Sequence, residues 1–314
     1  MGLAFGRALT VSALGSVLVS ALVSGCGGAP TKAVPRPTVT STGRGPVIVA
    51  TRVTPSVTAT STTTAVPVVT TAALAPITPQ GPNGGPGTFG PTSPGPLTGK
   101  IVAIDPGHNG GNGGAPSVIN APIFNGRSRE SCDTSGAGTD GGYPEATFNF
   151  AVAVDVANDL RAAGATVVLT RTSNSGVGPC VTERAAIGNR AHANAAVSIH
   201  ADGGPASGRG FAVLEPVADG PNNAIVAPSA LLGVDLRNAF RSGAGEPVSS
   251  YDGTDGLQPR DDLAGTNLST VPKVFVECAN MRNTTDAALV VSAGWQAKAA
   301  TAIAGGLATF LAGH

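Results

Sequence analysis

The chain has 314 residues, of which 44 are glycine and 25 are proline, and its formal net charge is zero. This balance offers no evidence for a polyanionic partner, so we expect no binding to nucleic acid. The charges are nevertheless unevenly distributed. Residues 27–99 carry four basic side chains and no acid, whereas residues 100–314 carry 14 Lys and Arg against 19 Asp and Glu, a formal charge of −5. The composition therefore divides the chain into two physically different parts.

The first 25 residues have the composition of a lipoprotein signal peptide. Arg7 precedes an apolar stretch, residues 8–23, that is too short and too rich in Gly and Ser for a membrane-spanning helix. The sequence VSGC then matches a bacterial lipobox and predicts acylation of Cys26; cleavage as an ordinary signal peptide is the alternative. We expect an exported protein, held by this lipid at the outer face of the cytoplasmic membrane.

Residues 26–99, which begin with the lipidated cysteine, are rich in Thr, Pro and Gly and have no periodic apolar face. Recurrent prolines exclude a central strand, and such a composition cannot bury enough apolar surface to offset the entropy lost on folding. We predict a disordered linker between the membrane and a folded domain.

Residues 100–314 are predicted to form a single catalytic domain of the α/β class, with a mainly parallel twisted sheet flanked by helices. Apolar runs predict strands, and amphipathic spacing predicts helices between them. The predicted strands are 100–105, 165–170, 197–200, 210–215 and 273–278, and the predicted helices are 144–164, 182–196, 227–243, 285–293 and 295–313. Working residues of such sheets lie at the carboxyl ends of the strands.

Two histidines follow predicted strands. His108 comes after the strand in KIVAID, and His200 closes the strand VSIH. The glycines after His108 do not have the spacing of a phosphate-binding loop, so a nucleotide site is not indicated. Neutral imidazole is a preferred zinc ligand, and two strand exits can converge on one point. His192 is interpreted as a packed or surface residue of the helix 182–196.

Two glutamates can complete such a site. Glu145 lies in the first turn of the helix after Pro144, where it is either a metal ligand or a partner of the helix dipole. Glu277 ends the apolar strand KVFVEC, where it is either a general base or one member of a buried salt bridge. The residues alone leave both alternatives open.

Five segments, in this order, resemble the zinc-dependent N-acetylmuramoyl-L-alanine amidases, which cleave peptidoglycan. They are VAIDPGHNGG, YPEATF, ERAAIGNRAHANAAVSIHADGGPASGRG, DGLQPRDDLAGTNL and VPKVFVECANMRN. The resemblance covers residues 100–314 and is closest to the actinobacterial (mycobacterial) branch, which has a single catalytic domain.

The resemblance implies a function for each candidate. His108, Glu145 and His200 would bind Zn²⁺, with water as the fourth ligand, and Glu277 would be the catalytic base. The reaction would be hydrolysis of the amide between N-acetylmuramic acid and the L-alanine of the stem peptide, in cell-wall turnover, division or recycling. The partners would be peptidoglycan and, through Cys26, the membrane, and we expect a monomer.

The resemblance also bears on three residues outside the metal set. The mycobacterial branch pairs cysteines at the positions of Cys132 and Cys180, which implies a disulfide across the long loop 110–142. That loop either covers the site or frames it. Arg260 is a candidate contact for a substrate carboxylate, with a solvated or structural arginine as the alternative. Cys278 is expected to be a buried free thiol.

The sequence also permits two other functions. A zinc peptidase could use the same residues to cut within the stem peptide. A non-catalytic peptidoglycan-binding envelope lipoprotein could retain the fold, although such relatives usually lose metal ligands or the base.

Overall fold

The structure is a computed structural model that describes residues 84–314 together with Ile77. The predicted signal peptide, Cys26 and most of the predicted linker lie outside the described residues. The described strands are β1 (Gly87–Phe89), β2 (Ile101–Pro106), β3 (Pro122–Phe124), β4 (Arg129–Ser131), β5 (Thr166–Leu169), β6 (Ala195–Asp202), β7 (Ala212–Pro216), β8 (Leu257–Arg260) and β9 (Lys273–Asn280).

Seven of these strands form one sheet in the order β1-β5-β2-β6-β9-β7-β8, while β3 and β4 form a separate hairpin. The four central strands β5, β2, β6 and β9 are parallel, and β1 and β7 are antiparallel to their central neighbours. The prediction of a mainly parallel sheet in an α/β domain is confirmed.

Helices cover both faces of the sheet. They are α1 (Pro116–Ile119), α2 (Glu145–Ala162), α3 (Val181–Arg190), α4 (Asn223–Gly243), α5 (Ala264–Asn267), α6 (Thr284–Val290) and α7 (Ala293–Gly313). Helices α2, α4 and α7 pack together on one face, and α3 and α5 pack on the other. Within the described part of the chain, no helix is both long enough and apolar enough to cross a membrane.

Side-chain size along β2 matches these two layers. Val102 and Ile104 are fully buried in the large core beneath α2, α4 and α7. Ala103 points to the opposite face, where Gly188 of α3 approaches it closely. Strand side chains alternate between faces, so a large residue at 103 would force α3 away from the sheet. This tight layer holds α3 against the middle of β2.

Most predicted helices and strands are present, but the helix predicted over 182–196 is too long. Helix α3 ends at Arg190, and β6 already begins at Ala195. His192 lies between them with φ of +49°, in the left-handed region that ends helices, so its assignment to a helix is wrong. The alanines after His192 supported a helix by propensity, but pairing of Ala195 and Ala196 with β2 overrides it.

The folded domain begins before the predicted boundary at residue 100. Residues 87–89 form the edge strand β1, which pairs antiparallel with β5. Leu97 is buried in the main core, and the Thr92 N–H donates to the carbonyl of Arg161 over 3.1 Å. The expectation that residues 84–99 lack packed structure is therefore wrong: glycine and proline are tolerated at a sheet edge, where one side of the strand needs no ladder bonds.

A buried carboxyl pair near the start of α6 predicts a pH dependence of stability. Arg209 Nη2 donates to Glu246 Oε1 over 3.0 Å, and Arg209 Nε lies 3.0 Å from Asp286 Oδ1. Burial raises the pKa of Glu246 from 4.5 to about 7, because the Arg209 hydrogen bond only partly offsets burial and the Asp286 charge adds to it.

The folded protein thus holds this proton more tightly than the unfolded chain does, so the contribution of Glu246 to stability is highest below pH 4.5 and falls up to about pH 7. Relative to Glu246→Gln, wild type is expected to lose up to about 3 kcal/mol of unfolding free energy across that window. Denaturant titrations of both proteins at pH 4.5 and pH 8 measure the change. A difference between the two proteins that does not vary with pH would contradict this assignment.

Candidate metal centre

Three of the predicted site residues meet at the carboxyl ends of the central strands. His108 follows β2, His200 lies near the end of β6, and Glu145 is the first residue of α2. One potential ligand atom of each lies within 4.8 Å of the other two. His108 Nε2 is 3.3 Å from Glu145 Oε2, and His200 Nδ1 is 2.8 Å from Glu145 Oε1. Two imidazoles and a carboxylate around one point form a donor set of catalytic zinc sites.

Two glycines permit this close approach. A Cβ on Gly107 would overlap the His200 imidazole. A Cβ on Gly136, whose φ is +77°, would lie 2.8 Å from His108 Cδ2 and 2.9 Å from Glu145 Oε2. His108 itself has φ of +55°, a conformation that costs a non-glycine residue about 1–3 kcal/mol and persists only where surrounding contacts enforce it.

Glu145 is held as a carboxylate. Its Oε2 accepts the Ala137 N–H over 2.7 Å, and its Oε1 accepts from Asn149 Nδ2 over 3.1 Å. Burial raises the pKa of Glu145, but the charges and hydrogen bonds of His108 and His200 outweigh burial and bring this pKa well below its ordinary value. A charged carboxylate facing two imidazoles is more than a partner for the helix dipole.

The pKa of His108 is shifted in the opposite direction to that of Glu145. Burial lowers the pKa of His108, but the Glu145 carboxylate and the hydrogen bond to Asp133 outweigh burial and raise this pKa to about 10. In the protein without metal, the imidazole is therefore protonated at neutral pH. A cation that replaces this proton meets the same negative surroundings.

Glu277 lies beside the three residues on the neighbouring strand. It is the register partner of His200 across the β6–β9 pair. Its Oε2 is buried and has no hydrogen-bond partner within residues 84–314. Burial, followed by the negative charges of Glu145 and Asp202, raises the pKa of Glu277 well above its ordinary value, while His108 and Arg260 offset only part of the shift. The salt-bridge alternative has no support, because no cation contacts this carboxylate in the described chain.

A cavity of about 340 Å³ opens beside the two histidines. Its lining includes Glu130, Ser131 and Thr134 of the long loop 110–142, together with residues 262–265. The segment predicted as a long loop contains α1 and the β3–β4 hairpin. The loop therefore frames a space that is connected to the centre.

Arg260 is near this region but is already paired. Its Nε and Nη2 donate to the two carboxylate oxygens of Asp262 over 2.7 and 2.6 Å. About one third of its side chain remains exposed. Tyr251 Oη donates to Asp202 Oδ2 over 2.8 Å, and this second polar pair lies within electrostatic range of Glu277.

A buried ionic cluster next to the centre is not among the features predicted from the sequence. Arg184 Nη1 lies 3.0 Å from Asp105 Oδ1, Arg184 Nη2 lies 3.0 Å from Asp133 Oδ2, and Lys273 Nζ lies 3.4 Å from Asp105 Oδ2. These charges come from four distant segments, so their pairing cannot be read from spacing. One feature of the sequence does indicate such a cluster. Asp105 lies near the end of an otherwise apolar strand, where a buried carboxylate requires a partner.

The predicted cysteines are joined as the resemblance implies. A disulfide links Cys132 and Cys180, and Cys278 is a buried free thiol. Cys278 points to the opposite face of β9 from Glu277, as strand alternation predicts.

Comparison with known proteins identifies the family. The family model described as N-acetylmuramoyl-L-alanine amidase matches residues 102–309. The chain belongs to the N-acetylmuramoyl-L-alanine amidase family. This amidase is 43% identical over 222 residues to the N-acetylmuramoyl-L-alanine amidase Rv3717 of Mycobacterium tuberculosis, which covers 70% of this chain and 90% of the relative.

Solved structures agree with this membership. The crystal structure of the amidase Ami1 from Mycobacterium smegmatis superimposes with a TM-score of 0.66 at 42% identity, over 69% of this chain and 99% of that one. The apo form of Ami1 from Mycobacterium abscessus gives a TM-score of 0.64, also at 42% identity, over 68% and 99%.

The family and the close relatives confirm the expected activity. The amidase hydrolyses the amide bond between N-acetylmuramic acid and L-alanine in peptidoglycan. The alternatives of a stem-peptide peptidase and of a non-catalytic binding protein are therefore not needed. Its substrate is the cell wall, so the amidase acts in the cell envelope or outside the cell.

Proposed function

We propose that His108, Glu145 and His200 bind a catalytic zinc ion and that Glu277 is the general base of the amidase reaction. The observation that carries this proposal is the convergence of three ligand atoms within 4.8 Å at the strand ends. Beside them lies a buried carboxylate oxygen that has no partner in residues 84–314.

The residues present are suited to zinc. The donor set is two imidazoles and one carboxylate, which leaves a fourth position for water, as catalytic zinc sites require. Gly136 leaves room next to His108 and Glu145 that any side chain would fill. The unpartnered Glu277 Oε2 can accept a hydrogen bond, which a water molecule in the centre would donate.

When bound, zinc supplies a Lewis acid that lowers the pKa of water and polarises the scissile carbonyl. Glu277 accepts a proton from the attacking water and transfers it to the leaving amine of L-alanine. The raised pKa of Glu277 suits this exchange, because the carboxylate is then a stronger base and its protonated form keeps the proton until the amine accepts it. The products are the free lactyl carboxylate of the sugar and an intact stem peptide.

Arg260 is the proposed contact for a carboxylate of the stem peptide. Asp262 occupies its Nε and Nη2, while Nη1 makes no hydrogen bond within the described residues and the side chain is partly exposed. Its charge also acts on Glu277, the proposed base, which supports a role close to the site of reaction. A planar guanidinium suits recognition of a carboxylate.

The test uses a muramoyl peptide with product identification by mass. Wild-type protein is expected to release the intact stem peptide, to lose activity when a chelator removes the metal, and to regain activity with one equivalent of zinc per chain. Full activity in protein that contains no metal by elemental analysis would overturn the zinc assignment.

Zinc affinity is expected to rise with pH. Below its pKa of about 10, His108 must lose a proton before its nitrogen can bind a metal. Because one proton is displaced, the zinc dissociation constant should fall about tenfold per pH unit between pH 7 and pH 9. Competition with a chelator of known pH-dependent affinity measures this slope, and a slope of zero would contradict the assignment of His108 as a ligand.

We extend the proposal to location and assembly. The amidase acts as a monomer held to the membrane by lipid on Cys26, supported by the VSGC sequence and by the unbroken Thr- and Pro-rich composition that follows. A Cys26→Ser variant of the full chain should appear in the culture medium, whereas wild type should stay with the membrane fraction and incorporate labelled fatty acid. Equal distribution of both proteins would count against the anchor.

A further inference from the structure

Asp133 faces the nitrogen of His108 that points away from the other proposed ligands. Asp133 Oδ1 lies 3.1 Å from His108 Nδ1, while His108 Nε2 faces Glu145. Asp133 is buried, at 3% exposure, and is not one of the three proposed ligands. Asp133 contacts the proposed ligand set through the His108 ring.

Asp133 is itself held from two sides. Its Oδ1 accepts the Thr134 N–H over 2.7 Å, and its Oδ2 accepts from Arg184 Nη2 over 3.0 Å. The same Arg184 nitrogen donates to the backbone carbonyl of His108 over 2.8 Å. One buried guanidinium therefore fixes both the carboxylate and the backbone of the residue that the carboxylate contacts.

The disulfide joins the two segments that carry these groups. Cys132 immediately precedes Asp133, and Cys180 immediately precedes α3, the helix that bears Arg184. The Val181 N–H donates to the Cys132 carbonyl over 2.8 Å, and the Arg184 N–H donates to the Cys180 carbonyl over 3.0 Å. The crosslink thus limits how far Asp133 and Arg184 can separate.

His108 needs such support more than His200 does. His108 has a φ of +55°, a conformation that surrounding contacts must enforce, and it lies after the end of β2. His200 lies within β6, and its ring stacks on Phe275 with centroids 5.4 Å apart. The two imidazoles are therefore held by different means.

We propose that Asp133 is the positioning residue of His108, held in place by Arg184 and the Cys132–Cys180 disulfide, and that it increases the zinc affinity of the site. A carboxylate on Nδ1 fixes the tautomer whose free lone pair is on Nε2, orients the ring and increases its basicity as a ligand. This inference rests on the proposed function, in which His108 binds zinc.

The experiment compares zinc dissociation constants of the full chain by chelator competition. Asp133→Asn keeps the size of the side chain but removes its charge, and it is expected to bind zinc about 10- to 100-fold more weakly than wild type. Asp140→Asn is the matched control, because Asp140 lies in the same loop, is exposed and pairs with Arg282. It should bind zinc as wild type does.

A second measurement needs no variant. In ¹⁵N spectra of the histidine rings of zinc-loaded wild type, His108 should be protonated at Nδ1 and bound through Nε2. If Asp133 served only to stabilise the fold, His108 would not need to adopt this tautomer. An Nε2-protonated His108 overturns the inference even if Asp133→Asn does not fold.

The outcomes separate this inference from the proposed function. Equal zinc affinity of Asp133→Asn and wild type refutes the positioning role and leaves the metal assignment intact. If His108→Ala binds zinc as tightly as wild type does, the proposed ligand set fails first, and the inference fails with it.

Discussion

Glu277→Gln is expected to lower kcat about 10²- to 10⁴-fold, the usual contribution of a general base. Glutamine keeps the shape of the side chain but cannot accept the proton that hydrolysis must remove from water. Zinc should still bind, because the substitution removes none of the three proposed ligands. Turnover of a muramoyl peptide, with zinc content measured on the same preparation, tests both expectations.

The neighbouring strand offers a matched control. Glu215 lies on β7, next to β9, and its Oε1 is also buried without a partner among the described residues. Burial raises the pKa of Glu215 as well, with Arg237 offsetting part of the shift. Glu215→Gln should leave kcat within about twofold, since it faces α4 rather than the centre. If Glu277→Gln is equally active, another group must be the base.

The central layer of the fold could be predicted because its signals are local. The apolar residues of β2 and β9 form short continuous runs, which indicate strands buried on both faces. Helix α2 repeats its apolar residues at helical spacing, and Gly164, with φ of +99°, follows its end. Each of these elements is determined mainly by its own residues.

The edges of the domain could not be predicted in this way. Strand β1 has three residues in a glycine- and proline-rich segment and exists because β5 offers it a partner. Strand β8 contains Pro259 and pairs only with β7 among the described strands. Such short strands depend on long-range pairing more than on propensity, so a window of sequence carries little information about them.

The residues of the candidate site also fall into two groups, those that local sequence predicts and those that depend on long-range contacts. The proposed ligands and Glu277 stand at strand and helix ends, where parallel topology brings them together, and chemistry at those positions can be anticipated. Asp133 lies instead in the long loop, and its contact with His108 depends on a disulfide and on Arg184 of α3. Its importance follows from three-dimensional contacts that no spacing rule encodes.

Glu145→Gln is expected to weaken zinc binding more than 100-fold, beyond the loss typical of a supporting residue, and to abolish amidase activity at micromolar zinc. Glutamine preserves the acceptor for the Ala137 N–H and so should keep the start of α2 in place. What disappears is the charge that lies between His108 and His200. Chelator competition and muramoyl-peptide turnover on the same preparation measure the two effects.

Comparison of Glu145→Gln with Glu183→Gln decides whether Glu145 is a metal ligand or only a partner of the helix dipole. Glu183 is an exposed glutamate in the first turn of α3, where it pairs with Arg190, so the same substitution there removes a helix-dipole partner without touching the centre. A first-turn carboxylate contributes about 0.3–1 kcal/mol to stability, and this loss should appear in both variants. Only Glu145→Gln should lose zinc. If both variants retain it, Glu145 serves the helix alone, and the third ligand must be sought elsewhere around His108 and His200.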